Sequence, residues 1–218
     1  HLIWMIRSKT ADPLYRFVRA EKAGYIDSSG NVVIEPILRA YGNYSGEFHD
    51  GLLQVGLSDG QYVDKTGKLV IDKSFDRGWD FSEGLAVAMP PKGNKWGYID
   101  RSGKFVISPR FETYPNGYVD SFSEGFAMIE ASKRIGYINR TGDFAIRPQY
   151  LHGTDFQDGM ARVVIDGPCS YINDSPCPDF RVLGESLGQE VPRCKFTFID
   201  KAGTIISAER YDDAKNFS

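Results

Sequence analysis

The sequence predicts an all-β fold built from tandem repeats of about three antiparallel strands. Residues 95–107 read KWGYIDRSGKFVI, and a close copy recurs four more times along the 218-residue chain. A second motif, Phe-x-Asp/Glu-Gly followed by apolar residues, alternates with the first. The turn acids of successive copies are 37, 36, 39 and 61 residues apart, and such a period indicates a repeat architecture. The chain shows no helical periodicity of useful length.

Each copy of the first motif predicts a β-hairpin. Runs of β-branched and aromatic residues flank an Asp-x-x-Gly turn, which is typical of two strands joined by a short loop. The Asp carboxylate can accept hydrogen bonds from backbone N–H groups inside the turn, and Gly supplies the positive φ that follows a type I turn. The predicted turn residues are Asp27 and Gly30, Asp64 and Gly67, Asp100 and Gly103, Asn139 and Gly142, and Asp200 and Gly203. The predicted hairpins lie near residues 22–38, 59–75, 94–111, 133–150 and 194–211.

The second motif predicts another turn and then the third strand of each repeat. Its Gly fits a left-handed position, and the residues that follow, such as 85–88, are apolar and β-forming. Because stacked repeats would spread the acidic residues of this motif apart, we favour turn chemistry over a cation site for them. These acidic residues are Asp50, Glu83, Glu124 and Asp158.

A three-stranded unit cannot bury both of its faces, so neighbouring repeats must complete the core. Side chains alternate between the two faces of a strand, which predicts two rows of core residues across the repeats. The rows are Ile26, Val63, Ile99, Ile138 and Ile199, and Tyr25, Tyr62, Tyr98, Tyr137 and Phe198.

The repeats favour an open, curved solenoid-like array over a closed toroid or propeller-like ring. Propeller blades of this length usually carry four strands, whereas this repeat predicts three. We expect residues 1–218 to form a single array that is truncated at both ends. Residues 14–19 occupy a third-strand position before the first hairpin, and Phe217 and Ser218 would begin a further copy of the second motif.

The charge distribution indicates no nucleic-acid partner. The 26 basic and 29 acidic residues give a net charge of -3, and neither sign gathers into a long block. The most apolar run near the start, residues 2–6, is far shorter than a signal-peptide core or a membrane span. We therefore expect neither nucleic-acid binding through bulk charge nor membrane insertion.

Three segments resemble the WG-repeat family, also described as KWG repeats. They are KWGYID at 95–100, GKFVI at 103–107 with Pro109 and Phe111 after it, and FSEGLA at 81–86. The resemblance covers roughly residues 14–167 and 194–218. It implies a tandem β-repeat array, common in bacterial proteins, with no family-wide enzymatic activity. The Trp-Gly pair is intact only at Trp96-Gly97, and Gln61 and Thr197 replace the glycine.

The residue types that usually carry chemistry are scattered. His49 and His152 have no spaced Cys, Asp or Glu partner that forms a known signature. No phosphate loop, nucleophile motif or closely spaced Cys pair occurs, so we expect no catalytic residue, metal or cofactor. Two further sets of residues each have two interpretations. The tryptophans pack in the core or form a platform on which sugars stack. The basic residues of the hairpin turns are solvated, or they form a basic stripe along one rim. These sets are Trp4, Trp79 and Trp96, and Lys65, Arg101, Arg140 and Lys201.

These features predict a non-enzymatic repeat module that presents an extended surface to a protein, peptide or glycan partner. The alternative is an accessory binding domain of a larger enzyme or envelope protein, with the chemistry located outside this segment. The two alternatives differ in what lies beside residues 1–218 in the full-length chain.

An insertion at residues 167–193 interrupts the repeat period. It makes the spacing between the fourth and fifth turn acids about 24 residues longer than the other spacings. It holds or borders Cys169, Cys177 and Cys194, the three cysteines of the chain. In oxidising compartments, a disulfide often stabilises a loop that has little hydrophobic core of its own. We predict a Cys169–Cys194 disulfide, with Cys177 free or competing, and hence a periplasmic or extracellular protein. The alternative is three reduced thiols in a cytoplasmic protein.

The disulfide prediction has a direct chemical test. Closing this loop should stabilise the fold by about 3 kcal/mol, because it restricts the unfolded chain. Mass mapping of an unreduced digest should recover Cys169 and Cys194 in one cross-linked peptide. Recovery of both as separate free-thiol peptides would contradict the disulfide and the localisation that depends on it.

Overall fold

The all-β prediction is confirmed by the computed structural model, which describes residues 13–39, 46–55, 60–72, 75–112, 119–166 and 195–206. These residues form strands and turns without a helix, and none of their small antiparallel sheets closes into a barrel. The strands are β1 (Tyr15–Arg19), β2 (Lys22–Ile26), β3 (Val32–Arg39), β4 (Leu52–Val55), β5 (Gln61–Asp64), β6 (Leu69–Ile71), β7 (Arg77–Gly78), β8 (Ala86–Met89), β9 (Lys95–Ile99), β10 (Phe105–Glu112), β11 (Ala127–Ala131), β12 (Arg134–Ile138), β13 (Phe144–Tyr150), β14 (His152–Gly153), β15 (Met160–Asp166) and β16 (Lys195–Asp200).

Strands that follow one another in sequence pair in the sheets. The sheet orders are β1-β2-β3, β4-β5-β6, β10-β9-β8-β7, β11-β12-β13 and β14-β15-β16. In each repeat we call the strands first (β1, β4, β8, β11, β15), middle (β2, β5, β9, β12, β16) and outer (β3, β6, β10, β13). The two-residue strands β7 and β14 are additions to the predicted three, and they pair with the first strands β8 and β15.

The chain divides into two compact units. Unit 1 comprises His1–Asn94 and Tyr98–Phe105, and unit 2 comprises Lys95–Gly97 and Val106–Ser218. Each unit thus contains more than one repeat, and each has its own buried clusters.

The turn between the middle and outer strands has one geometry in all five repeats. In the third repeat, Asp100 N donates to the Lys104 carbonyl and Gly103 N donates back to the Asp100 carbonyl, both at 2.9 Å. The turn glycines have φ between 73° and 87°. This combination is a type I turn followed by a left-handed glycine. The Asp100 carboxylate accepts the backbone N–H of Ser102 at 2.8 Å and of Lys104 at 3.1 Å.

The middle strands are buried on both faces. Tyr62, Tyr98 and Tyr137 are fully buried on one face, and Ile99, Ile138 and Ile199 on the other. At the two ends of the rows, Ile26 and Phe198 are only partly buried. Because first and outer strands flank a middle strand only at its edges, its faces must be covered from outside its own sheet.

Buried clusters that cross from one repeat to the next provide this cover. In unit 1, Tyr25 and Ile34 of the first repeat pack with Leu53 and Val63 of the second. A further cluster of unit 1 joins the second repeat to the third through Leu52, Tyr62, Ile71, Phe75, Phe81, Ala86, Ala88 and Ile99. The cluster of unit 2 consists of Met128, Ile135, Tyr137, Ile146, Tyr150, Phe156, Ala161, Val163 and Ile199.

In three of the middle strands, a tyrosine also links its repeat to the next by a hydrogen bond. Tyr62 donates its hydroxyl to the Trp79 carbonyl at 2.7 Å, and its ring meets Phe81 edge-on with centroids 5.0 Å apart. The accepting carbonyl always lies two residues before the phenylalanine of the second motif. The same pair of contacts recurs from Tyr25 to Gly46 and Phe48, and from Tyr137 to Thr154 and Phe156.

The glycine of the Trp-Gly position permits a close approach of the outer strand. In the fourth repeat Tyr137 pairs with Ile146 and Ile135 with Tyr150, so the one residue between them in β12 faces three of β13. A Cβ added at Gly136 would lie 2.6 Å from the backbone nitrogen of Pro148, inside this bulge. Only glycine fits such a contact. The outer strand of the second repeat, which has Gln61 at this position, is only three residues long.

The turn glycines pack against the preceding repeat. A Cβ added at Gly67 would lie 3.3 Å from the side chain of Ile34, and one at Gly203 would lie 3.3 Å from that of Ile146. At Gly30, by contrast, an added Cβ would meet nothing within 4 Å. The turn at Gly67 or Gly203 therefore both closes its own hairpin and packs against the preceding repeat.

The connections between first and middle strands differ in length. Two residues suffice at Ala20-Glu21 and Ser132-Lys133, all four with positive φ. Between β15 and β16, whose last pair is Asp166 with Lys195, the connection is the long insertion. Cys169, Cys177 and Cys194 lie outside the described residues, and their disulfide remains a prediction.

The contact of the turn with the preceding repeat can be isolated by a matched pair of substitutions. Gly30 and Gly67 have φ of 81° and 82°, so alanine strains both backbones alike. We expect Gly30→Ala to lower the free energy of unfolding by about 1 kcal/mol. Gly67→Ala should lower it by about 2 kcal/mol, because its Cβ must also displace Ile34. Equal losses in denaturant unfolding would contradict the packing role of Gly67.

Acid should weaken the turns that carry aspartate. The hydrogen bond from the Ser102 hydroxyl holds the pKa of Asp100 below its usual value, against the opposing effect of burial. A lowered folded-state pKa stabilises the fold above the unfolded-state pKa, and this contribution is lost as pH falls through the folded-state value. Asn139 accepts the equivalent bonds from Thr141 and Asp143 without titrating in this range.

Asp100→Asn should therefore preserve the melting temperature better than the wild-type chain does between pH 5 and pH 3, since the amide keeps the acceptor. Asn139→Asp serves as the reverse control and should increase the acid sensitivity. Parallel melting curves for all three proteins across this range would contradict the titration of these turns.

Candidate functional site

The acidic residues of the second motif lie in two-residue turns of the left-handed type. Asp50, Glu83, Glu124 and Asp158 have φ between 50° and 53°, and the glycine after each also has positive φ. In the turn at Asp50, His49 and Leu52 exchange both backbone hydrogen bonds. This is a type I′ hairpin turn, in which Asp-Gly is a favoured pair.

These acids also contact the equivalent turn of the next repeat. In unit 1, Asp50 Oδ2 accepts the backbone N–H of Gly84 at 2.6 Å. In unit 2, Glu124 Oε2 accepts the backbone N–H of Gly159 at 2.9 Å. The carboxylates are thus spread along the repeats, and Asp50 and Glu124 each fix the turn that follows.

Basic residues of the hairpin turns lie beside the acidic turns. Lys201 Nζ is 3.0 Å from Glu124 Oε2, and this contact, with the Gly159 N–H, lowers the pKa of Glu124. The guanidinium of Arg101 lies near Gly51, where an added Cβ would be 3.3 Å from Nη2. Arg140 lies over the Phe122 ring at 5.7 Å. Lys201, Arg101 and Arg140 thus each lie against a residue of the second motif.

The described histidines and tryptophans are divided between the two units. His49 Nε2 lies 3.6 Å from Asp80 Oδ2 in unit 1. Burial lowers the pKa of His152, which lies in β14 of unit 2. Trp96 is buried, Trp79 is 47% exposed, and Trp4 lies outside the described residues. Within the described ranges, no three His, Cys, Asp or Glu side chains are grouped to hold a metal ion.

Exposed apolar side chains recur at the start of the outer strands. They occupy the two positions that follow the five-residue turn, and each is between 38% and 50% exposed. We call them the outer-strand residues: Val32, Val33, Leu69 and Val70 in unit 1, and Val106, Phe144, Ile205 and Ile206 in unit 2. Recurrence at one repeat position distinguishes them from apolar residues scattered singly over a surface.

Unit 2 contains a cavity of about 510 Å³ with mixed chemistry. Its polar lining includes Asp120, Asp155 and Arg162, and its apolar lining includes Phe198. The local backbone is held by Thr154, whose N–H donates to the Arg162 carbonyl at 3.0 Å and whose hydroxyl accepts the Arg162 N–H at 3.2 Å. The remaining lining residues are Ser123, Met128, Gly153, Thr154, Phe156, Gln157 and Met160.

The two carboxyl groups of the cavity affect each other. Burial raises the pKa of Asp120 to about 6, and the nearby Asp155 carboxylate raises it further in the same direction. Burial also raises the pKa of Asp155. Both charges add to the effect of burial in raising the pKa of the Tyr137 phenol. Paired carboxyl groups with shifted pKa values in a concave site are typical of functional sites.

The sequence interpretation did not identify this cavity. The available signal was an acidic residue just before the phenylalanine of the second motif, as at Glu47, Asp80 and Asp155. Asp120 stands one residue earlier still. That signal resembles ordinary surface charge, since it does not show which copies line a cavity.

No helix within the described part of the chain is long and apolar enough to cross a membrane.

One solved structure shows a similar fold at low sequence identity. A chain in the crystal structure of the eukaryotic initiation factor superposes with a TM-score of 0.55 at 10% identity. That match covers 92% of this chain and 53% of the other, so this chain spans about half of its length. Citrobacter koseri AztD matches at a TM-score of 0.33 and 14% identity, covering 95% of this chain and 74% of AztD. No curated protein matches the chain.

The family comparison covers most of the repeats. The model described as WG containing repeat matches residues 24–55, 62–96, 96–131, 135–167 and 196–218. Each match includes a middle strand or most of one, and the first four extend into the first strand of the following repeat. With five matches that together span well over half of its length, the chain belongs to the WG containing repeat family.

Proposed function

We propose that this chain is a non-enzymatic binding module that recognises an extended peptide segment of a partner protein along its outer strands. The observation that supports this proposal is the recurrence of exposed apolar residues on those strands. Polar side chains would serve solubility better at these positions if the strands faced only water.

The backbone of the outer strands fits an added strand. β3, β6, β10 and β13 stand at the end of their sheet orders, so each pairs with a described strand on one side only. An extended peptide could hydrogen-bond to the other side, while its apolar side chains contact the outer-strand residues. The bulge at Pro148, and the proline at the same place in β3 and β10, would limit each such pairing to the start of the strand.

The position of the turns allows more than one repeat to contribute. In unit 1, the turn at Gly67 packs against Ile34, the neighbour of Val33 in β3. In unit 2, the turn at Gly203 packs likewise against Ile146 of β13. An extended ligand would therefore meet outer-strand residues of two successive repeats. This supports peptide over glycan, because all of the outer-strand residues except Phe144 are aliphatic.

The proposed location of the module is the periplasm or the cell exterior. This part of the proposal depends on the predicted Cys169–Cys194 disulfide and shares its test.

A random octapeptide library displayed on phage tests the binding function. Selected peptides should carry apolar residues at alternate positions, since alternate side chains of a strand share a face. Val70→Thr keeps the shape and β-propensity of the side chain, and it should weaken binding of a synthetic selected peptide by about fivefold or more. N-methylation of alternate peptide amides should abolish binding by removing the backbone donors.

Val18→Thr is the matched control, because Val18 is exposed on β1 but is not an outer-strand residue. It should leave the dissociation constant unchanged. Selection of peptides without apolar alternation, or equal affinity for the Val70→Thr protein, would overturn the proposal.

A further inference from the structure

The cavity of unit 2 is independent of the outer strands and has a different chemistry. Its two carboxyl groups, Asp120 and Asp155, both line a volume of about 510 Å³, which is enough for a small organic group. Asp120 is fixed through its backbone, which donates to the Met128 carbonyl at 3.0 Å. Asp155 lies between Thr154, which accepts the Tyr137 hydroxyl, and the buried Phe156.

The charges that face these two carboxylates leave the cavity acidic. Arg162 also lines it, but its guanidinium carbon lies 5.1 Å from the centroid of the Phe196 ring, in a cation–π contact. Burial and the charges of both carboxylates raise the pKa of the Tyr137 phenol, so this group stays neutral. Two carboxylates and one guanidinium give the lining a net negative charge above neutral pH.

The remaining walls are apolar and polarisable. Met128 and Met160 contribute thioethers, and Phe198 contributes an aromatic ring. Such groups pack well against a methylene chain and attract a cation at its end. Phe198 stands where the other repeats have a buried tyrosine, and it lacks the hydroxyl with which Tyr25, Tyr62 and Tyr137 bind a carbonyl.

We propose that this cavity binds a primary ammonium or guanidinium group carried on a short methylene chain, with the cation between Asp120 and Asp155. The chain of the ligand lies against Met128, Met160 and Phe198. Two sources share this chemistry, a free diamine and a lysine or arginine side chain of a peptide.

Calorimetric titration of the full chain at pH 7.5 tests the proposal with four probes of known composition. Butane-1,4-diamine represents the free amine. The N-acetyl methylamides of lysine and arginine represent peptide side chains, and that of norleucine is the neutral control. At least one cation should bind and norleucine should not. Binding of the diamine alone assigns the site to a free amine, and binding of an amino-acid derivative assigns it to a peptide side chain.

Asp155→Asn and Asp120→Asn should each weaken cation binding by about tenfold or more, since each removes one partner of a partly desolvated ion pair. Asp143→Asn makes the same change of charge at an exposed position outside the cavity, and it should leave the affinity unchanged. Binding should also weaken as pH falls from 7.5 to 5, because Asp120 becomes protonated with a pKa of about 6.

Thermal melting separates a binding role from a structural one. A raised folded-state pKa means that stability is lost as pH rises from about 4 to about 6. Asp120→Asn should therefore raise the melting temperature at pH 7.5 while it weakens binding. Three results would overturn the proposal: no cation binds, norleucine binds as well as lysine, or Asp143→Asn weakens binding as much as the cavity variants.

Discussion

The structure depends on the burial of the middle strand on both faces. A sheet of three strands supplies edge partners for its middle strand but no cover for its faces, so the residues on them need another repeat. Tyr62 shows how this is met in unit 1, because its ring packs on Phe81 and its hydroxyl binds the Trp79 carbonyl. A buried hydroxyl without such a partner would destabilise the fold, so the hydrogen bond also specifies how successive repeats are joined. Stability in such a chain is a property of pairs of repeats.

The turns combine local geometry with contacts between repeats. Gly67 adopts a positive φ for its own hairpin and at the same time lies against Ile34. Asp50 occupies a left-handed position and accepts the Gly84 N–H of the next turn. Left-handed backbone is unfavourable for Glu83 and Glu124, which have side chains longer than aspartate. In Glu124, the contacts to Gly159 and Lys201 offset that strain.

The sequence was sufficient for the fold class and the family, since hairpins are specified by residues close together in the chain. The Asp-x-x-Gly turn illustrates this, because donor, acceptor and left-handed glycine lie within five residues. The bulge had a longer-range signal, a glycine and a proline twelve residues apart, as in Gly24 and Pro36 or Gly136 and Pro148. The cavity depends on which acids packing brings together. Asp155 lines the cavity in the fifth repeat whereas Asp80, at the same motif position, lies beside His49, and only packing between repeats decides that difference.

The unequal connections between first and middle strands bear on how such a chain can diverge. The turn between middle and outer strands spans five residues in every repeat, because the same two backbone hydrogen bonds close it each time. The connection on the other side of the middle strand ranges from Ala20-Glu21 to the whole of residues 167–194. Of the two connections of a middle strand, the one to the first strand therefore carries the length variation, and it contains none of the residues of the clusters described above. Insertions at that side can be acquired, exchanged and selected for new binding properties while the repeats go on folding as before.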